Sequence, residues 1–221
     1  MDRHFDEELR ELKDKLIKMS AAAEEMIVNS MNALKDRKED LVQVVFEKEK
    51  SVNSMQIEID DMALKLIALR QPAASDLRFV VSAIKKNADL ERIGELAINI
   101  VQRAQDLLKE PPLKPLIDLP RMAAISQGMV KDAIDSFINK NSDLARDVCK
   151  RDDQVDDLND QIIRELISYM LQDPKNISRA LDLIMVAKNL ERIADHATNI
   201  GEDVFYIVKG RDIRHHVADG Q

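Results

Sequence analysis

Two stretches of this chain repeat one another at an offset of 100 residues, and no other feature limits the fold so tightly. Leu90-Glu-Arg-Ile-Gly-Glu-Leu-Ala-Ile-Asn-Ile100 matches Leu190-Glu-Arg-Ile-Ala-Asp-His-Ala-Thr-Asn-Ile200 at seven of eleven positions, and Glu95 against Asp195 keeps its charge. The apolar stripe runs on in phase, as Leu90, Ile93, Ala97, Ile100, Ala104 and Leu107 against Leu190, Ile193, Ala197, Ile200, Val204 and Ile207. Apolar residues every three or four positions line one face of an α-helix. An earlier pair repeats as well, Val52, Met55 and Ile59 answering to Val155, Leu158 and Ile162. A chain duplicated in this way is expected to fold as two related helical halves.

Proline sets the boundaries. A proline inside a helix removes a hydrogen bond and clashes with the preceding turn, so the six prolines should fall between helices. Before Pro72 the spacing predicts two helices. The first carries Leu9, Leu12, Leu16, Met19, Ala23, Met26, Ser30 and Ala33, and ends near Lys35–Lys38. The second carries Val52, Met55, Ile59, Met62, Leu66 and Leu69. A third should run from about Ala73 to Lys109, and no helix can traverse the proline-rich stretch that follows. The pattern then restarts, with helices expected over Pro120–Asn139, Ser142–Leu171 and Pro174–Lys209, the last capped by Gly210. The expected architecture is all-α: two tandem, pseudo-symmetric three-helix bundles over residues 1–110 and 121–221, joined by a linker at 111–120.

Composition narrows the function. Hydrophobic residues make up 45% of the 221, enough for a core, while the net charge is −8. That charge argues against a grip on nucleic acid, which needs clustered Lys and Arg, and against the anionic face of a membrane. No apolar run approaches the roughly 20 residues that span a bilayer, so membrane association is expected only through protein partners. The charged N-terminus does not read as a signal peptide, and Cys149 is the only cysteine, so a cytoplasmic location is expected. There is no glycine-rich phosphate loop, no GxSxG nucleophile elbow and no Glu-x-x-His pair of the di-iron type, so catalysis is not expected.

The candidate chemistry is acidic. With the signature's apolar residues facing inward, Glu91 and Glu95 fall on the other side of the helical wheel, and Glu191 and Asp195 do the same in the second copy. On the preceding helix Asp152 and Asp156 are four apart, and their first-half counterparts are Glu49 and Asn53. Carboxylates at this spacing on two facing helices could hold Mg²⁺, Mn²⁺, Ca²⁺ or iron. The same pairs could equally serve as solubilising charge or as ion-pair partners of Arg92 and Arg192. His196 has Leu96 as its counterpart, and Cys149 has no partner thiol, so both are expected to be incidental to a site.

The repeated Leu-Glu-Arg-Ile-(Gly/Ala)-(Glu/Asp) signatures resemble the PhoU family of phosphate-uptake regulators. So do Gln71-Pro-Ala-Ala-Ser-Asp-Leu-Arg78, Asp152-Asp-Gln-Val-Asp156 and the stretch from Val208 to His215. The resemblance implies tandem three-helix bundles, a homodimer, and a non-enzymatic regulator. Its partners would be the ATPase subunit of a phosphate ABC transporter and a phosphate-sensing histidine kinase, and its role to repress the starvation response. It also implies iron, or Zn, Mg, Mn or Ca, on E/D-x-x-x-D motifs. Here those map onto Asp152, Asp156, Glu191 and Asp195, and less completely onto Glu49, Glu91 and Glu95, with Asn53 in place of a carboxylate. The competing expectation is a metal-binding helical scaffold or storage protein without a signalling role.

Overall fold

The structure, a computed structural model, describes residues 3–72 and 74–210. Six long helices fill it: α1 (Arg3–Lys35), α2 (Asp40–Arg70), α3 (Ala74–Leu107), α4 (Asp118–Asn139), α5 (Ser142–Gln172) and α6 (Ile177–Lys209). A single 3-10 turn, Pro174–Asn176, leads into α6, and there is no strand among the described residues. Each boundary has a local cause. Gln71 leaves the helical region at φ 47° before Pro72. The Asn141 side chain accepts from the backbone N–H groups of Asp143 and Leu144 and starts α5, and Gly210 closes α6 at φ 67°.

In each half the three helices pack on one another, and the halves join where α3 meets α6 and α1 meets α4. The buried apolar residues form one continuous core through both halves. All six stripe positions of α3, from Leu90 to Leu107, lie inside it. The helical periodicity is less accurate at the helix ends, where the neighbouring helices have stopped. Leu69 is 76% exposed, Ile207 emerges near the end of α6, and Met185, whose place in the apolar pattern predicts core filling, faces solvent. The seam between α5 and α6 is close because Gly201 carries no side chain: a Cβ there would lie 2.9 Å from the carbonyl oxygen of Ala145.

The α3–α6 joint is antiparallel and polar in part. Asp89 Oδ1 meets His196 Nδ1 at 3.1 Å, Arg103 Nη1 lies 3.4 Å from Asp182 Oδ1, and Lys86 Nζ donates to Asp203 Oδ2 at 2.6 Å. In this register Ile93 of the first signature falls opposite Ile193 of the second, so the repeats face each other across a local pseudo-twofold axis. Lys86 has 1% of its side chain exposed, and Asp89 is its second anion, at 3.9 Å. The link between halves is strapped rather than loose. Arg37 donates to the carbonyls of Leu108 and Glu110 at 2.7 and 3.0 Å, Arg179 to that of Pro111 at 3.0 Å, and Lys114 pairs with Glu165.

Removing one partner of a buried ion pair costs about 3–5 kcal/mol, whereas replacing the ion by a well-packed apolar group can be neutral. Asp203→Asn is therefore expected to lower the thermal midpoint sharply, and Lys86→Met to lower it little or not at all. Thermal melts of the two variants against the parent check the difference.

Candidate acidic functional site

Each acidic signature lies in the groove between a signature helix and the helix before it. Glu91 and Glu95 of α3 look toward Glu49 of α2; Glu191 and Asp195 of α6 look toward Asp152 and Asp156 of α5. The wheel places these carboxylates outside the core, and the structure corrects the stronger expectation that they are plain solvent-facing charges. Glu49, Glu91, Glu95, Asp152 and Glu191 are half-buried, while Asp156 and Asp195 reach solvent. A wheel drawn for one helix cannot show the neighbour that leans over its polar edge.

The second-half group is the more strained electrostatically. Burial, then the charges of Asp156 and Asp195, push the Asp152 carboxyl up to about 6. Asp156 is raised by burial and by Glu191 and Asp195, and Asp195 by burial and by Glu191. Asp152 Oδ1 is buried without a hydrogen-bond partner, and so is the nearby Thr198 hydroxyl, which approaches the carboxylate outside bonding geometry and tempers the rise. In the first half Glu91 is raised by burial and then by Glu95 and Glu49, while Arg92 draws Glu95 into an ion pair. Asn53 is exposed and brings no charge.

Oxygen donors of this kind suit hard or borderline cations, and the unpartnered Asp152 oxygen is the atom a cation would satisfy first. As they stand, however, no three His, Cys, Asp or Glu side chains among the described residues are gathered into a group able to hold a metal ion. The carboxylates are close enough to repel one another, and they would have to rotate inward to share a cation. Lys188, 3.1 Å from Glu191, holds one of them back.

The Cys149 thiol is pushed up to about 12 by burial and by Glu202 and Asp152, which leaves it unreactive. His196 meets Asp89 of the other half, and its charge also lowers the adjoining Asp195 carboxyl, so it touches both the joint and the acidic group. Lys86, with no polar counterpart at Val186, was not legible as a buried cation, because its sequence neighbours resemble an ordinary exposed turn. His215 and His216 lie outside the described residues.

An all-helical, internally duplicated protein with paired carboxylates in matching grooves is what the fold and site define. The family model described as "PhoU domain" matches the chain twice, over residues 16–104 and 119–204. The chain belongs to the PhoU family. It is 38% identical over 216 residues, 97% of this chain and 89% of the other, to the "Phosphate-specific transport system accessory protein PhoU homolog" of Pseudomonas aeruginosa. The Aquifex aeolicus protein of that name is 40% identical, with 94% of each chain covered. Among solved structures, PhoU from Pseudomonas aeruginosa superposes at a TM-score of 0.89 with 38% identity, covering 94% of this chain and all of that one. The phosphate transport system regulatory protein PhoU from Streptococcus pneumoniae gives 0.84 at 26% identity, covering 94% of this chain and 98% of that one.

The strain has a sign. A carboxyl whose folded pKa lies above its unfolded value, near 3.9, costs stability once ionised, and the cost fades as pH falls through the folded value. For Asp152 the cost at neutral pH is on the order of 1–3 kcal/mol, given its coupling to Asp156 and Asp195. In chelator-treated protein, Asp152→Asn is expected to raise the thermal midpoint at pH 7.5, and the gain over the parent to vanish by about pH 4. Paired melts across that range check it.

Proposed function

We propose that this protein is a non-enzymatic negative regulator of the response to phosphate starvation. In this reading it works in the cytoplasm as a homodimer and links the ATPase subunit of a phosphate ABC transporter to a phosphate-sensing histidine kinase. The observation that carries the reading is the double family match, spanning both halves, to relatives named as accessory proteins of phosphate-specific transport. No helix among the described residues is long and apolar enough to cross a membrane. Action on a membrane-bound transporter would then run through protein contact.

A second element of the reading concerns metal. The buried, unpartnered oxygen of Asp152 amid mutually repelling carboxylates favours cation binding by Asp152, Asp156, Glu191 and Asp195. Iron, Zn²⁺, Mg²⁺, Mn²⁺ or Ca²⁺ would supply the missing positive charge and draw α5 and α6 together at that groove. The first-half group, with Glu49, Glu91 and Glu95, has one carboxylate fewer and an ion pair already made by Glu95, so it should bind more weakly. Metal binding without signalling is the competing function.

Both parts have direct tests. Deleting the gene is expected to leave a phosphate-starvation reporter switched on in phosphate-rich medium, with repression restored by the intact gene; a deletion strain that still represses fully would sink the regulator reading. For the metal, protein purified without chelators is assayed for bound ions. Asp156→Asn with Asp195→Asn should lose more metal than Glu49→Gln with Glu95→Gln. Equal losses, or a metal-free parent after incubation with each ion, count against it.

A further inference from the structure

Away from the acidic grooves, the start of α3 and the end of α6 form an open trough. Two cavities, of about 230 and about 460 Å³, adjoin there and share Arg78 and Ile207 in their walls. The exposed surface is apolar: Leu77 and Val81 from α3, and Tyr206, Ile207 and Val208 from α6, are each 36–55% exposed. Three cations rim it, Arg78, Lys85 and Lys140. Among the described residues none of their side chains has an ion-pair or hydrogen-bond partner, in a chain whose net charge is −8. The one carboxylate in the walls, Asp203, is already engaged by Lys86 at 2.6 Å.

The duplication supplies an internal control. The same positions at the other end of the α3–α6 pair are Ile177, Leu181 and Met185, also exposed, with Ser178 where Arg78 stands and Met185 where Lys85 stands. Apolar residues at 177 and 181 thus repeat those at 77 and 81 without the cations at 78 and 85, so the fold does not require Arg78 or Lys85. Unpaired cations around exposed apolar side chains are complementary to a ligand that offers both carboxylates and apolar groups. The concave shape favours a chain segment over a flat membrane surface, which the net negative charge would also repel.

We propose that this trough docks an acidic amphipathic segment of a partner protein. The apolar side chains of the segment lie on Leu77, Val81 and Tyr206, and its carboxylates meet Arg78, Lys85 and Lys140. The chain's own residues 211–221 are a poorer occupant, because Arg211 and Arg214 would be brought to the same cations.

The test uses the full-length protein and a pair of fluorescent synthetic peptides, one with leucine on one helical face and glutamate on the other, the second with lysine for each glutamate. Fluorescence anisotropy is expected to show binding of the acidic peptide only, weakening as salt is raised. Arg78→Glu with Lys85→Glu should weaken it by about tenfold or more. Leu181→Ser, at the opposite end, should leave it unchanged. If charge reversal shifts the thermal midpoint, Arg78→Gln with Lys85→Gln takes its place, with a smaller loss in the same direction. Absence of acidic-peptide binding, equal binding of the two peptides, or indifference to both cation variants overturns the proposal. So does binding that appears only when residues 211–221 are removed. Recruitment of the parent protein alone to anionic phosphatidylglycerol vesicles, or a change of oligomeric state in the cation variants, without peptide binding, would give the trough to a membrane or to a second copy and equally overturn it.

Discussion

An ammonium group withdrawn from water must have an anion within reach, and Lys86 finds its closest one on the other half of the molecule. That pair, with Asp89–His196 and Arg103–Asp182, fixes the register in which α3 crosses α6. Apolar packing alone would tolerate slippage by a turn, since both helices show a leucine, isoleucine or alanine at every third or fourth position. The charged contacts do not. Once the register is set, the two acidic grooves take up equivalent places on either side of the joint. The position of the candidate site therefore follows from an interface that lies outside it, apart from His196, whose charge also acts on Asp195.

The acidic grooves keep an electrostatic tension that the core does not need. Asp152 is held ionised at neutral pH only against its own burial and the charges of Asp156 and Asp195. Folded proteins relieve such arrangements by pairing or protonation unless something else supplies the opposite charge. Here Lys188 and Arg92 relieve Glu191 and Glu95, and one buried oxygen of Asp152 is left without a partner. The asymmetry between halves thus lies in how completely each group is neutralised by its own helix as well as in the number of carboxylates.

The helical segments were legible in the sequence because two independent signals agreed, the proline positions and the phase of the apolar stripe. The pairing of Glu91 with Glu49, and of Asp195 with Asp152, could be read from the repeat, since both halves place acidic residues at matching positions of consecutive helices. Depth could not be read. Leu69 and Met185 fit the periodicity yet face solvent, because burial depends on whether a neighbouring helix extends that far. Lys86 was hidden for the converse reason. Its partner lies 117 residues away, and nothing local marks a lysine as the one that will be enclosed.

The charges at the joint also decide what each half can recognise. Position 103 is the counterpart of 203, and 186 of 86. If two first halves met through the same register, Lys86 would face Arg103; if two second halves met, Asp203 would face Asp182. Either self-pairing sets like charges against each other at the joint, while the mixed pairing sets opposites together. The charges at the joint therefore favour the union of one half with the other over the union of two copies of either half.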